Sequence, residues 1–355
     1  MLGKITPCAE NGKAALVRDL PAPFGIGSTE FFVLSPKNDV TSAFLFSAVT
    51  AGPFHRRLVS RMEGSTGRLR ITRDTLKKWL LLPVPSPDEQ RRIVCALQRA
   101  DDAIQTARME LAATQDVKRS LMGSLFAVGM PDRHCTFQDT KIGLIPAGWK
   151  VRTIKSVLSE KPDSGTSPLS RPDPPGTPIL NVSCVKEGVC SSKDVTYVDV
   201  STDEVERYRA LAGDFFVLRG NGNRDYVATG GLLRQTPEVD TIYSDKLIRM
   251  RFNTDEVAER FVPYLWQSRA FLTRLQSKAE SGSGLWMMSK RDICRELFAC
   301  PAMEEQKEIV ELLDSAELRL NATVAKVEAL DHVKRSLMQN LLTGKIRIPE
   351  GAVHD

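Results

Sequence analysis

Two short stretches of this sequence carry side chains well suited to meeting a polyanion. One runs through His55-Arg56-Arg57, Arg61, Gly64-Ser65-Thr66-Gly67-Arg68-Leu69-Arg70 and Arg73, where seven cationic or imidazole groups fall within 19 residues. The other is Arg219-Gly220-Asn221-Gly222-Asn223-Arg224, a glycine-rich loop that sets two guanidiniums and two amides close together. Guanidinium and ammonium groups neutralise phosphates and release counterions whatever the base sequence. Arg, Asn and Ser can also hydrogen-bond to base edges in a groove, which is how sequence is read. The candidates for DNA contact are Arg57, Arg61, Arg68, Arg70, Arg219, Asn221, Asn223 and Arg224. Ser281 and Ser283 join them, because Gly282-Ser283-Gly284 matches Gly64-Ser65-Thr66-Gly67. Solvated surface charge would explain either stretch taken alone, so the rest of the chain has to decide.

Patterns for catalysis or metal binding do not accompany these stretches. Asn11-Gly12-Lys13-Ala14 lacks the first glycine and the final hydroxyl of a phosphate-binding loop. The four histidines, 55, 134, 332 and 354, are scattered. Cys184 with Cys190, and Cys294 with Cys300, are six apart and lack the close pairs of a zinc site. Asp173-Pro174-Pro175-Gly176 places glycine where an adenine methyltransferase motif needs an aromatic ring to stack on a flipped base. No catalytic residue and no metal site is assigned, and the chain reads as non-catalytic.

Positioning such groups requires a framework, and the framework is a duplication. Glu89-Gln90-Arg91-Arg92-Ile93-Val94 returns as Glu305-Gln306-Lys307-Glu308-Ile309-Val310, and Val117-Lys118-Arg119-Ser120-Leu121-Met122 returns as Val333-Lys334-Arg335-Ser336-Leu337-Met338. Residues 86–130 and 302–346 share 14 identities in 45 positions, where ordinary composition would give roughly 3. Each copy carries apolar positions stepping by 4 and 3, the spacing of a coiled-coil seam. Ile93, Leu97, Leu121 and Leu125 in the first copy, and Ile309, Leu313, Leu337 and Leu341 in the second, are assigned to helix-pair packing. One lysine interrupts each seam, Lys118 and Lys334. A helix of about 38 residues would be roughly 57 Å long. Two matched seams in one chain most simply bury each other, and pseudo-two-fold symmetry favours an antiparallel pair.

The organisation expected is 1–85, a first globular part; 86–130, a long helix; 131–141, a connector; 142–300, a second globular part; 301–346, a second long helix; and 347–355, a tail. The globular parts hold short runs such as Phe215-Phe216-Val217-Leu218 and Leu247-Ile248-Arg249-Met250, with helix expected near 41–62 and 255–278. The fold class is α+β. The net charge of +5 resolves into +6 and +3 on the globular parts and −1 and −3 on the helical stretches. Positive charge therefore collects where the candidate contacts are. No apolar run reaches the 18 or so residues of a membrane span. The seven cysteines read as reduced thiols of a cytoplasmic protein.

A variable domain, then Pro-x-x-x-Glu-Gln-x-x-Ile-Val opening a long helix that ends in Lys-Arg-Ser-Leu-Met, with all of it duplicated, resembles the specificity subunit of type I restriction–modification systems. Ile142-Gly143-Leu144-Ile145-Pro146-Ala147-Gly148-Trp149 is similar to the opening of that family's target recognition domain, and Gly213-Asp214-Phe215-Phe216 to one of its strands. Ile5-Thr6-Pro7-Cys8-Ala9-Glu10-Asn11-Gly12-Lys13 and Gly27-Ser28-Thr29-Glu30-Phe31 resemble a variant of the same domain. The resemblance implies two α/β target recognition domains separated by two long helices that pair as an antiparallel coiled coil. It implies binding of double-stranded DNA with a bipartite target, docking of two modification (methyltransferase) subunits, and restriction/translocase subunits beyond them. S-adenosylmethionine, ATP and Mg would sit on those partners, with no cofactor in this chain.

The first copy is expected to be incomplete. Aligning Asn11 with Asn221 puts Met1 near Leu211, so about 70 residues matching 142–210 lack a counterpart. Two alternatives follow: a structural remnant that binds modification subunits without specific DNA reading, or the specificity subunit of a type IIG/IIB restriction–modification enzyme.

Overall fold

The structure is a computed structural model that describes residues 1–349 except 19, 38, 66 and 283. Two long helices organise the chain, Pro87–Val128 and Met303–Leu341. Proline at the first helical position leaves no donor to satisfy, and Asp88, Glu89, Glu304 and Glu305 meet the positive helix N-termini. The first helix stops at Gly129, whose φ of +82° suits glycine. A side chain there would also collide with His134 and Glu305, at 2.6 and 2.7 Å from a Cβ.

The chain divides into two compact units, Met1–Ala113 with Asn321–Asp355, and Thr114–Leu320. Each unit therefore takes part of both helices, so its boundaries differ from the linear order of domain, helix, domain, helix. Antiparallel pairing is the physical reason, because the start of one helix lies with the end of the other. Within the first unit, Arg108 pairs with Asp331 at 3.2 Å, Lys326 with Glu110 at 2.7 Å, and Lys334 with Asp101. Seam residues Ile93, Leu97 and Leu341 are buried with Phe44 and Phe54, and Leu337 packs against them. Within the second unit, Leu125, Ile309 and Leu313 join one core with Phe261 and Phe271, with Leu121 alongside. The interrupting lysines find partners: Lys334 takes Asp101, and the Lys118 ammonium lies 5.9 Å from the centre of the Tyr264 ring.

The second unit contains a six-stranded sheet in the order Asp163–Ser164, Leu247–Met250, Phe215–Leu218, Gly230–Leu233, Gly188–Cys190, Val185–Lys186. A four-stranded sheet follows the order Ile242–Tyr243, Thr177–Leu180, Thr196–Val198, Ser170–Arg171. A small three-stranded sheet joins Gly220–Asn221, Leu285–Met287 and Glu280–Gly282. Phe215–Leu218 is buried on both faces and reads as a continuous apolar run for that reason. Phe261–Gln267 and Arg269–Gln276 are the helices expected near 255–278.

The first unit repeats the second in fine detail. Leu2 and Gly3 pair with Phe32 and Phe31, as Val217 and Leu218 pair with Ile248 and Leu247. Lys4 N donates to Glu30 O at 3.1 Å, and Arg219 N to Lys246 O at 2.9 Å. Ile71 N donates to Lys4 O, and Met288 N to Arg219 O, both at 2.7 Å. Glu63 bridges Arg70 as Glu280 pairs with Met287. Lys4 is thus the counterpart of Arg219 and Met1 that of Phe216. This replaces the alignment of Asn11 with Asn221 and moves the start of the shared portion by about five residues.

The repeated Glu-Gln pair is a buried latch. Gln90 Oε1 accepts from Thr41 N at 2.8 Å while its Nε2 donates to Pro85 O at 2.9 Å. Gln306 Oε1 accepts from Ala258 N at 2.9 Å while its Nε2 donates to Pro301 O at 3.0 Å. A buried amide that satisfies two backbone groups fixes each helix to the domain preceding it. Glu305 accepts from Met130 N (3.1 Å), His134 Nε2 (2.8 Å) and the Trp149 indole N–H (3.0 Å). Burial alone would raise its pKa, but these hydrogen bonds hold the carboxyl below the ordinary range. In the first unit Glu89 pairs instead with Arg347, which lowers its pKa.

Candidate nucleic-acid interface

The second unit brings most of its candidates to one place. Phe215–Leu218 leaves the large sheet at Arg219 and continues as Gly220–Asn221 into the small one. At Gly220 a Cβ would stand 2.3 Å from Met287 Sδ, so a larger residue would have to push that side chain aside. Asn221 is opposite Trp286, and Ser281 is opposite Trp286 from the other side. Asn221 Oδ1 accepts from Asn223 N and Asn223 Oδ1 from Asp225 N, each at 2.9 Å. These two turns fix the loop with the short side chains that favour them.

Arg224 lies over the Trp286 ring at 5.0 Å and donates to Gln276 O at 3.3 Å. Its guanidinium is partly held by the protein itself. Among the described residues the Arg219 side chain has no hydrogen-bond or ion-pair partner, and it borders a cleft of about 330 Å³ with Val182, Asn221, Lys246, Leu285 and Met287. Leu285 and Met287, which line it, are exposed, and so is Tyr226 at the end of the Arg224–Tyr226 turn. The cluster thus offers a free cation, amide groups, a hydroxyl and a half-buried indole, a set able to meet phosphate and base edges or stack on a base. Trp286 and Lys246 were missed in the sequence; a tryptophan directly after Ser283-Gly284-Leu285 was the available signal. Ser283 lies outside the described residues.

The first unit gathers its candidates less tightly. Glu63 and Arg70 close a hairpin through paired backbone hydrogen bonds of 2.9 and 2.8 Å, and Arg68 is exposed at its tip. Arg70 donates to both Glu30 oxygens at 3.1 and 3.2 Å, which lowers the Glu30 pKa and balances the Arg70 charge locally. Arg61 stacks on Trp79 at 3.8 Å, and Arg57 lies 5.8 Å from the Phe54 ring centre. Their counterparts in the second unit, Arg274 and Lys278, instead bond the buried Glu296 at 2.7 and 2.5 Å. Arg57, Arg61 and Arg68 therefore keep charge directed outward, whereas Arg274 and Lys278 are neutralised.

Asp173–Gly176 forms a surface turn in which Pro175 O accepts from Arg171, far from methyltransferase chemistry in both sequence and setting. Among the described residues no cluster of His, Cys, Asp or Glu is placed to hold a metal. No helix among them is long and apolar enough to cross a membrane.

These features define a class: proteins built from repeated sheet-and-helix modules joined through two antiparallel helices. No known family profile matches the chain. It is 21% identical over 325 residues to the EcoKI type I restriction enzyme specificity subunit of Escherichia coli strain K12, covering 88% of this chain and 68% of that one. It is 26% identical over 273 residues to the MjaVIII specificity subunit of Methanocaldococcus jannaschii, covering 75% and 62%. The chain thus spans about two thirds of the length of these curated relatives. A chain solved in work on complex assembly and conformational transition of the type I restriction–modification system shares the fold, with TM-score 0.54 and 14% identity over 85% of this chain and 71% of that one. In sequence the chain is similar to specificity subunits of type I restriction–modification systems, and it shares the fold of the solved chain.

Proposed function

We propose that the chain is the DNA sequence-recognition subunit of a type I restriction–modification complex, carries no reaction of its own, and docks modification subunits through its helices. The observation that carries this reading is the repeated backbone module, in whose second copy a cationic, amide-bearing junction faces outward. Arg219, Asn221, Asn223, Arg224 and Ser281, together with Ser283, form the stronger contact set; Arg57, Arg61 and Arg68 form a second. Arg70 contributes less, because Glu30 already balances it. The target is bipartite duplex DNA, two modification subunits bind, and restriction/translocase subunits join them. S-adenosylmethionine, ATP and Mg belong to those partners.

The experiment is enrichment of duplexes from a random library by the full chain with its modification subunit. A shared base motif among the retained duplexes is expected; retention governed by length and salt alone would defeat the reading. A second reading has its own support. Glu30 already neutralises Arg70 in the first unit, which supports a chain that holds modification subunits without specific reading. Capture of a modification subunit without any enriched motif would favour it.

A further inference from the structure

The second unit holds another cationic surface, apart from the junction. Lys155, Lys161, Lys290, Arg291 and Arg295 line a cleft of about 670 Å³ whose one acid is Glu160. Glu160 is already taken by Arg249 at 3.1 Å and Arg251 at 3.3 Å, and Lys290 meets Asp163 at 3.5 Å. Among the described residues the side chains of Lys155, Lys161, Arg291 and Arg295 have no hydrogen-bond or ion-pair partner, and all four residues are exposed. Like charges gathered around one concavity raise the local potential and attract a polyanion. Among the described residues no aromatic ring lines the cleft, so it offers charge without a platform for stacking a base.

The cleft is tied to the junction through the backbone. Arg219 O accepts from Met288 N at 2.7 Å, and Ser289 then caps the helix Lys290–Arg295 by accepting from Asp292 N at 3.0 Å. Lys290 follows Met287, which borders the Arg219 cleft, by three residues, a span of roughly 11 Å at most. A major groove is about 12 Å wide, so phosphates bordering a groove read by Arg219 lie within range of this helix. The first unit repeats the arrangement. Ile71 N donates to Lys4 O at 2.7 Å, and Thr72 caps the helix Arg73–Trp79 by accepting from Thr75 N at 3.1 Å. In that register Arg73 stands where Lys290 does, and Lys78 where Arg295 does. Each helix carries three cations and one acid, and Arg73, Lys77 and Lys78 are all exposed. At the junctions the side chains change between units, yet on these helices the positive charge stays. Base readers must differ from target to target, whereas phosphates are alike at every site.

We infer that this short helix is a phosphate-backbone contact in each unit. In the second unit it acts through Lys290, Arg291 and Arg295, with Lys155 and Lys161 on the same cleft; in the first, through Arg73, Lys77 and Lys78. The inference rests on the proposed DNA recognition and adds a part to it, a sequence-independent grip beside the junction that reads bases. Its ligand is the sugar–phosphate backbone of duplex DNA.

The test uses the full chain with a modification subunit, binding a random-sequence duplex over a range of salt concentrations. Lys155→Gln/Arg291→Gln/Arg295→Gln, at exposed side chains, should leave the fold intact and weaken binding to every duplex alike. The slope of log affinity against log salt should become shallower by about 2 to 3, since each phosphate contact adds about 0.9 to it. Arg73→Gln/Lys78→Gln should make it shallower by about 1 to 2. Lys141→Gln/Lys193→Gln/Lys345→Gln, three exposed lysines outside the cleft, is the control of equal charge and should change the slope less. Enrichment from a random library runs in parallel. A shallower slope with the same enriched motif supports the inference. An unchanged slope, or an equal change in the control, overturns it whether or not a motif emerges. An altered motif overturns it too, because the cleft would then read bases. Absence of any motif with the unaltered chain defeats the proposed recognition instead, and the slopes still decide the helix.

Discussion

The junction around Lys4 in the first unit and the junction around Arg219 in the second have the same backbone hydrogen bonds, to within about 0.2 Å, and different surface chemistry. Where the second unit presents Lys246, the first has Glu30; where the second has Met287, the first has Arg70, held by that Glu30. On the neighbouring helices the exchange is reversed. Glu296 neutralises Arg274 and Lys278 in the second unit, while Trp79 leaves Arg61 stacked but charged in the first. The lesson is that the frame is preserved by buried polar groups and glycine contacts, and the outward side chains are free to vary. Under the proposed function, a module that meets different DNA sequences needs that separation.

Breaking the shared frame should give the largest effect. Gln306→Ala leaves Ala258 N and Pro301 O unpaired in a buried site, and should cost about 2–4 kcal/mol locally, since each orphaned group costs about 1–3. Gln90→Ala should do the same in the first unit, read by hydrogen exchange of 41–59. Effects below about 0.5 kcal/mol in either would refute the latch. Next comes Arg219→Ala, expected to weaken specific duplex binding by about 1–3 kcal/mol while non-specific binding changes less; Lys4→Ala, with Glu30 beside it, should cost less. Equal losses would show that the two junctions work alike.

Acidification sharpens the frame comparison. Glu305 has its pKa held down by His134, Met130 N and Trp149, so it contributes stability above its unfolded value of about 4.3, and that contribution is lost as pH falls through the lower folded value. Trp149→Phe should shrink this acid-dependent part in a denaturation series, and an unchanged acid limb would dismiss the role. The smallest effect belongs to Glu30→Ala. It frees Arg70 and should steepen the salt dependence of DNA binding by up to about one phosphate contact; a shallower slope would place Arg70 away from DNA.

Much of the fold was legible because helices announce themselves locally. The duplicated Glu-Gln motif, the 4-and-3 spacing and the two lysines marked helices within a few residues of Pro87–Val128 and Met303–Leu341. Their antiparallel sense came only from symmetry, and ion pairs such as Lys326 with Glu110 carry it. The strands were legible as apolar runs, but not their order, since pairing of Thr177–Leu180 with Ile242–Tyr243 depends on contacts remote in sequence. At the site, Arg219 and Asn221 stood out by type and spacing. Trp286 did not, because its place beside Arg224 exists only once Leu285–Met287 pairs with Gly220–Asn221. Arg70 looked as available as Arg68 until Glu30, 40 residues away, was seen to hold it.

The central claim is that the Arg219 junction reads part of a DNA target, and methylome sequencing of cells carrying this chain with a type I modification subunit tests it most directly. The expected result is a new bipartite methylated motif in which Arg219→Ala relaxes the bases of one half and spares the other. No new motif, or one that Arg219→Ala leaves unchanged, would contradict the account.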